Sequence, residues 1–69
     1  MSVAKIIELV GGSETGWQDA VQNAVTEAAS TLDGISGVEV TNMTASVENG
    51  RVTNYKATVK IAFRIRESR

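Results

Sequence analysis

The 69-residue chain contains no cysteine and no histidine. Without cysteine there is neither a disulfide framework nor a thiolate metal site to offset its small size. Without histidine it lacks the commonest metal ligand and the commonest general base. Its formal charge is only −1, a poor match for nucleic acid. No run of about 18 apolar residues is present, and the start lacks the basic-then-apolar layout of a signal peptide. The expectation is a cytoplasmic protein with neither membrane nor nucleic-acid partners. One domain, 1–69, lies near the lower limit for a self-sufficient core, which leaves oligomerisation as the main route to stability.

The longest pattern present runs from Val38 to Arg66. Two strand-like stretches meet at Asn49-Gly50, a pair that accepts positive φ at both positions and suits a tight type I′ turn. A two-residue loop there predicts a register. Glu48 faces Arg51, Val47 faces Val52, Thr41 faces Thr58, Val40 faces Val59, Glu39 faces Lys60 and Val38 faces Ile61. Opposite charges meet and apolar residues meet, the pairings that stabilise a ladder. Tyr55, Ala57, Val59, Ile61, Phe63 and Ile65 alternate with Lys56, Thr58, Lys60, Ala62, Arg64 and Arg66, giving one apolar and one basic face. The partner strand changes phase. Val38 and Val40 share the apolar face, whereas Met43, Ala45 and Val47 fall in the opposite phase. Either both faces of the distal half find apolar company, or a bulge intervenes.

Upstream, Val3 to Val10 reads as a strand broken by Gly11 and Gly12. Ser13 or Thr15 offers an N-cap, with Thr15 and Gln18 spaced as a capping box. Trp17, Ala20, Val21, Ala24, Val25, Ala28 and Leu32 then form one stripe of an amphipathic helix of about 18 residues. Gly34 suits the left-handed residue that ends it.

The order is therefore β-α-β-β, an α+β fold. A right-handed crossover makes the first two strands parallel, and the last lies antiparallel between them, in spatial order 2-3-1. Strands of roughly 12 to 16 residues span roughly 40–50 Å, whereas a helix of about 18 covers about 27 Å. The helix is too short to shield the sheet. Met43, Val47, Val52 and Phe63 are the candidates for an overhang that another copy covers, in a closed homo-oligomer.

Catalytic groups are absent. Serines and threonines have no histidine to activate them, and Glu8, Asp33, Glu39 and Glu48 show no spacing that pairs two carboxylates. The chain reads as non-enzymatic. Gly11-Gly12-Ser13-Glu14-Thr15-Gly16 lacks the lysine of a phosphate loop and reads as a strand-to-helix turn. Lys56, Lys60, Arg64 and Arg66 line one strand face, either as an anion platform or as a solvated face neutralised by Glu39 and its neighbours. Trp17 and Tyr55 belong to apolar stripes.

Leu9-Val10-Gly11, the Ser13-Glu14 helix entry, the alanine-rich helix, Val38-Glu39-Val40 and the closing run from Tyr55 to Ile65 come in an order and spacing that resemble the dodecins. The resemblance implies a hollow homododecamer that stores or sequesters a small ligand. For many members that ligand is a flavin, FMN or riboflavin; some bacterial members bind coenzyme A. Flavin-binding dodecins carry a tryptophan before the x-Glu-Val segment and a glutamine after the strand tyrosine. The matching positions here are Gly37, beside Val38, and Lys56. The resemblance thus assigns Gly37, Val38 and Lys56 to a flavin pocket that has lost its stacking ring. The alternatives are coenzyme A or another anion, with Lys60 and Arg64 joining Lys56, a cation such as calcium on Glu8, Asp33 or Glu48, or a purely structural assembly.

Overall fold

The computed structural model describes residues 3–65; the Arg66 position of the basic face lies outside them. β1 (Val3–Ser13), α1 (Trp17–Ala29), β2 (Ile35–Glu48) and β3 (Arg51–Ile65) follow in sequence. β3 lies between β1 and β2 and is antiparallel to both, the expected 2-3-1 order. Among the described residues, no helix is long and apolar enough to cross a membrane.

At the hairpin tip Asn49 (φ 53°) and Gly50 (φ 75°) both take positive φ, which the type I′ turn requires. The register agrees with expectation at Glu48–Arg51, Val47–Val52, Val40–Val59, Glu39–Lys60 and Val38–Ile61. It departs from expectation in the middle. Thr58 pairs with Asn42 rather than Thr41, because β3 carries an extra residue at Asn54 (φ 44°) and β2 carries one at Thr41. The displaced Thr41 still donates from Oγ1 to the Thr58 carbonyl at 3.2 Å.

These two bulges explain the change of phase in β2. Each inserts one residue into its strand, so the second cancels the first. Between them Met43 pairs with Ala57 and Ala45 with Tyr55, while Val40 pairs with Val59. All of β2's apolar residues therefore return to the face that carries Ala57, Val59 and Ile61. The bulge alternative holds.

The core is small. Ala20, Ala24 and Ala28, spaced i, i+4 and i+8, are buried against Ala57, Val59 and Ile61, with Ile7, Leu9, Val21, Val25, Leu32 and Ile35 packed around them. Alanines let the helix axis lie close to the sheet, and Gly11 of β1 completes that approach: a Cβ there would overlap the Ala20 carbonyl oxygen and lie 2.9 Å from the Ala24 Cβ.

Several local expectations are corrected. β1 is not broken by its glycines but runs through Gly11 and Gly12 to Ser13, which pairs with Tyr55. The N-cap is Gly16, with no side-chain cap, because Ser13 and Thr15 instead direct their hydroxyls to the Asp19 carboxylate at 2.8 and 3.2 Å. The helix has 13 residues and stops at Ala29. Gly34 does take φ 77°, but it lies beyond the intervening turn, where its carbonyl accepts from the Arg64 N–H at 3.0 Å.

The shorter helix sharpens the mismatch of lengths. Thirteen residues of α-helix rise about 20 Å, whereas the 15 residues of β3 extend about 50 Å. The molecule is 58 Å long and only 20 and 12 Å across. Met43, Val47 and Val52 are 59, 65 and 51% exposed on the uncovered part of the face, as are Val38 and Val40 along the β2 edge, whereas Phe63 is half-buried.

Candidate functional site

The face turned away from the helix is built from alternate residues of all three strands. Its central row is Glu8, Lys60 and Glu39, with Lys60 directly opposite a carboxylate on either side. Directly opposed side chains stand about 5 Å apart at Cβ, so two acids serve one base. The row carries a net negative charge. This arrangement favours the neutralised-face alternative for Lys60.

Lys56 differs. Its cross-strand neighbours are Gly12 and Thr44, neither of them acidic. Arg64 lies opposite Ala4 and at the other end of β3. Four residues separate Lys56 from Lys60, and Lys60 from Arg64, or about 13 Å each along an extended strand. Within one chain these cations form a spaced row, not a cluster.

Gly37 lies opposite Ala62, whose other neighbour is Ile6. It therefore shares the outer face with Lys56 but sits six residues away along β3, about 20 Å. A Cβ at Gly37 would meet no atom within 4 Å. Val38 belongs to the opposite, apolar face, paired with Ile61 and 44% exposed. A single protomer does not bring Gly37, Val38 and Lys56 together.

Near Lys56 the sheet edge opens into a cleft of about 340 Å³ lined by Gly12, Ser13, Glu14, Ser46, Asn54, Tyr55 and Lys56. It forms where β1 stops at Ser13 while β3 continues into its bulge at Asn54. The sequence signal for this corner is the β2 phase change, which requires a bulge but does not say where its companion falls. On the neighbouring side Trp17 is 37% exposed, less buried than its stripe position predicts. Its indole N–H donates to the Thr44 carbonyl at 2.8 Å, and its ring meets Tyr55 edge-on, with centroids 4.8 Å apart at 80°.

The glycine-rich segment forms the turn from β1 into α1, as expected. The hydroxyls of Ser13 and Thr15 and the Asp19 carboxylate occupy the turn, and Asn23 Nδ2 donates to the Gly12 carbonyl at 2.9 Å. Glu8, Asp33 and Glu48 lie in mid-strand, in the α1–β2 connection and at the hairpin tip. Among the described residues no three acidic side chains converge in a way that would hold a metal ion.

The family model for dodecins matches residues 3–66. The chain belongs to the dodecin family. That match spans both faces of the sheet, the helix and the hairpin. The calcium dodecin of Mycobacterium tuberculosis is 30% identical over 66 residues, covering 96% of this chain and 93% of that protein. The dodecin of Thermus thermophilus is 33% identical over 66 residues, 96% of each. Among solved structures, the tt0972 protein of Thermus thermophilus aligns with a TM-score of 0.93 at 32% identity, covering 99% of this chain and 100% of that one. The dodecin architecture therefore extends over all four elements.

Proposed function

We propose that this dodecin binds a small ligand without catalysis, at sites completed only between copies in a hollow homo-oligomer, twelve chains being the family expectation. The observation that carries the reading is the separation of Gly37 from Lys56, about 20 Å apart on one sheet face. Neither position can complete a pocket with the other in one chain, whereas two neighbouring chains can each supply one. The uncovered apolar face around Met43, Val47 and Val52 supplies the contact that brings copies together.

Flavin is the family ligand, and this chain is equipped to hold it weakly. Gly37 offers no π face, and Lys56 donates hydrogen bonds but accepts none. Losing one stacking contact costs about 1–3 kcal/mol, roughly 5- to 150-fold in affinity. Titration with FMN and riboflavin, followed by quenching of flavin fluorescence on the assembled protein, tests this. Saturable quenching only at high micromolar flavin or above is the expected result; its absence removes flavin.

A second reading keeps the assembly and changes the ligand. The relative named calcium dodecin motivates calcium. Its acids here, Glu8, Asp33 and Glu48, would have to come together across copies. Native mass spectrometry with calcium and with coenzyme A distinguishes a cation from an anion, and an assembly that takes up neither is a structural one.

A further inference from the structure

Asparagine is chemically labile, and its lability depends on the residue that follows it. The chain's four asparagines precede Ala24, Met43, Gly50 and Tyr55, so Asn49 alone is followed by glycine. Asn23 is held on α1, where its Nδ2 donates to the Gly12 carbonyl at 2.9 Å. Asn42 and Asn54 lie within the strands, and the Tyr55 that follows Asn54 packs against Trp17. Asn49 and Gly50 instead form the hairpin tip, and both are exposed. A Cβ at Gly50 would meet nothing within 4 Å, so neither a side chain nor a neighbour crowds its backbone nitrogen. That nitrogen and the Asn49 Cγ are the two ends of a five-membered ring. Closing the ring requires Asn49 to leave its turn conformation (φ 53°), and an exposed two-residue tip is a segment that opens locally at low cost.

We propose that Asn49 is a modification site, at which the side chain cyclises onto the Gly50 nitrogen and is converted to aspartate or isoaspartate without an enzyme. The Gly50 nitrogen attacks the Asn49 Cγ and gives up its proton, and the side-chain amide leaves as ammonia, which yields a succinimide. Water then opens the ring. Cleavage between the nitrogen and Cγ gives aspartate; cleavage between the nitrogen and the main-chain carbonyl carbon gives isoaspartate. Nothing is oxidised or reduced, and water is the only co-reactant. The products act differently on the hairpin. Aspartate keeps the backbone and adds a negative charge beside Glu48, so that Arg51 has two acids near it. Isoaspartate routes the main chain through its side-chain carbon and lengthens the loop, which removes the turn geometry that sets the register.

The assembled protein is kept for weeks at physiological temperature in a mildly alkaline buffer, then digested and mapped by mass spectrometry. Trypsin cleavage after Arg51 parts Asn49 from Asn54. A freshly prepared sample, digested in parallel, sets the baseline. The expected result is replacement of the amide by a carboxyl in the Asn49 peptide, at least about 10-fold faster than in the Asn54 peptide. Two products should separate by chromatography, and the isoaspartyl one is diagnostic because it arises only through the ring. Conversion should slow in Gly50→Ala, whose methyl group crowds the attacking nitrogen. No conversion at Asn49, equal rates at Asn49 and Asn54, or aspartate as the sole product overturns the proposal. So does an undiminished rate in Gly50→Ala shown by circular dichroism to be folded. The comparison of peptides within the wild type decides the matter if that variant does not fold.

Discussion

Gly11 and Ala20 approach so closely that the strand has no room for a side chain under the helix: a Cβ on Gly11 would overlap the Ala20 carbonyl oxygen. The obstacle is backbone and cannot rotate aside, so helix and sheet would have to separate. Gly11→Ala is expected to destabilise by about 2 kcal/mol or more in urea denaturation at fixed protein concentration. Gly12→Ala is the control, because its Cβ would find nothing nearer than the Tyr55 oxygen at 3.9 Å. Its effect should stay within about 0.5 kcal/mol.

The turn makes a different prediction. Gly50 has open space around it, so Gly50→Ala meets no steric neighbour and is opposed only by its φ of 75°. The cost should be about 1 kcal/mol, the penalty for placing an L-residue in the left-handed region. A loss well above this would mean that the tip contacts something outside the protomer.

Trp17→Phe keeps an aromatic edge against Tyr55 but removes the 2.8 Å donation to Thr44. That hydrogen bond is exposed, so the loss should be about 0.5–1.5 kcal/mol, read by circular dichroism during denaturation.

Met43→Asp and Val47→Asp place charge on the uncovered end of the apolar face. Both side chains are more than half exposed in the protomer, so its secondary structure should survive. Light scattering is expected to show a fall in mass. An unchanged mass would show that copies meet elsewhere.

Gly37→Trp tests the flavin reading by gain. A Cβ at this position meets nothing within 4 Å, so the protomer has room for the start of a side chain. Flavin affinity should rise roughly 5- to 150-fold, measured by the same quenching titration. No gain would place the flavin away from this position.

The sequence made much of this fold legible because the signals were local and redundant. The Asn49-Gly50 pair set the turn, and the pairings Glu48–Arg51 and Glu39–Lys60 at opposite ends of the hairpin agreed on the register. The alternation of β3 marked it as the central strand. The middle of the ladder was harder to read, because two bulges that cancel leave Glu48–Val47 and Val40–Val38 in frame and shift only the pairs between them, Thr58 with Asn42 among them, and a third irregularity at Ser36 moves Ile35 onto Phe63. The continuation of β1 through Gly11 and Gly12 was hidden for a related reason. Glycine ordinarily weakens a strand, but here it is the condition for the helix to lie down on it. At the candidate site, the single chain shows the residues and their face but separates Gly37 from Lys56. The cleft beside Lys56 depends on where β1 stops and β3 kinks, which no local pattern encodes.

The opposed insertions at Thr41 and Asn54 have a consequence for how such a chain can change length. Losing Asn54 alone would slide the rest of β3 past β2 and turn Val38 and Val40 against the wrong partners. Losing Thr41 as well would bring both ends back into step, so a deletion ruinous at one position becomes tolerable when matched at the other. Over the stretch between Val38 and Glu48, the hairpin's two strands therefore keep step only when they gain or lose residues together.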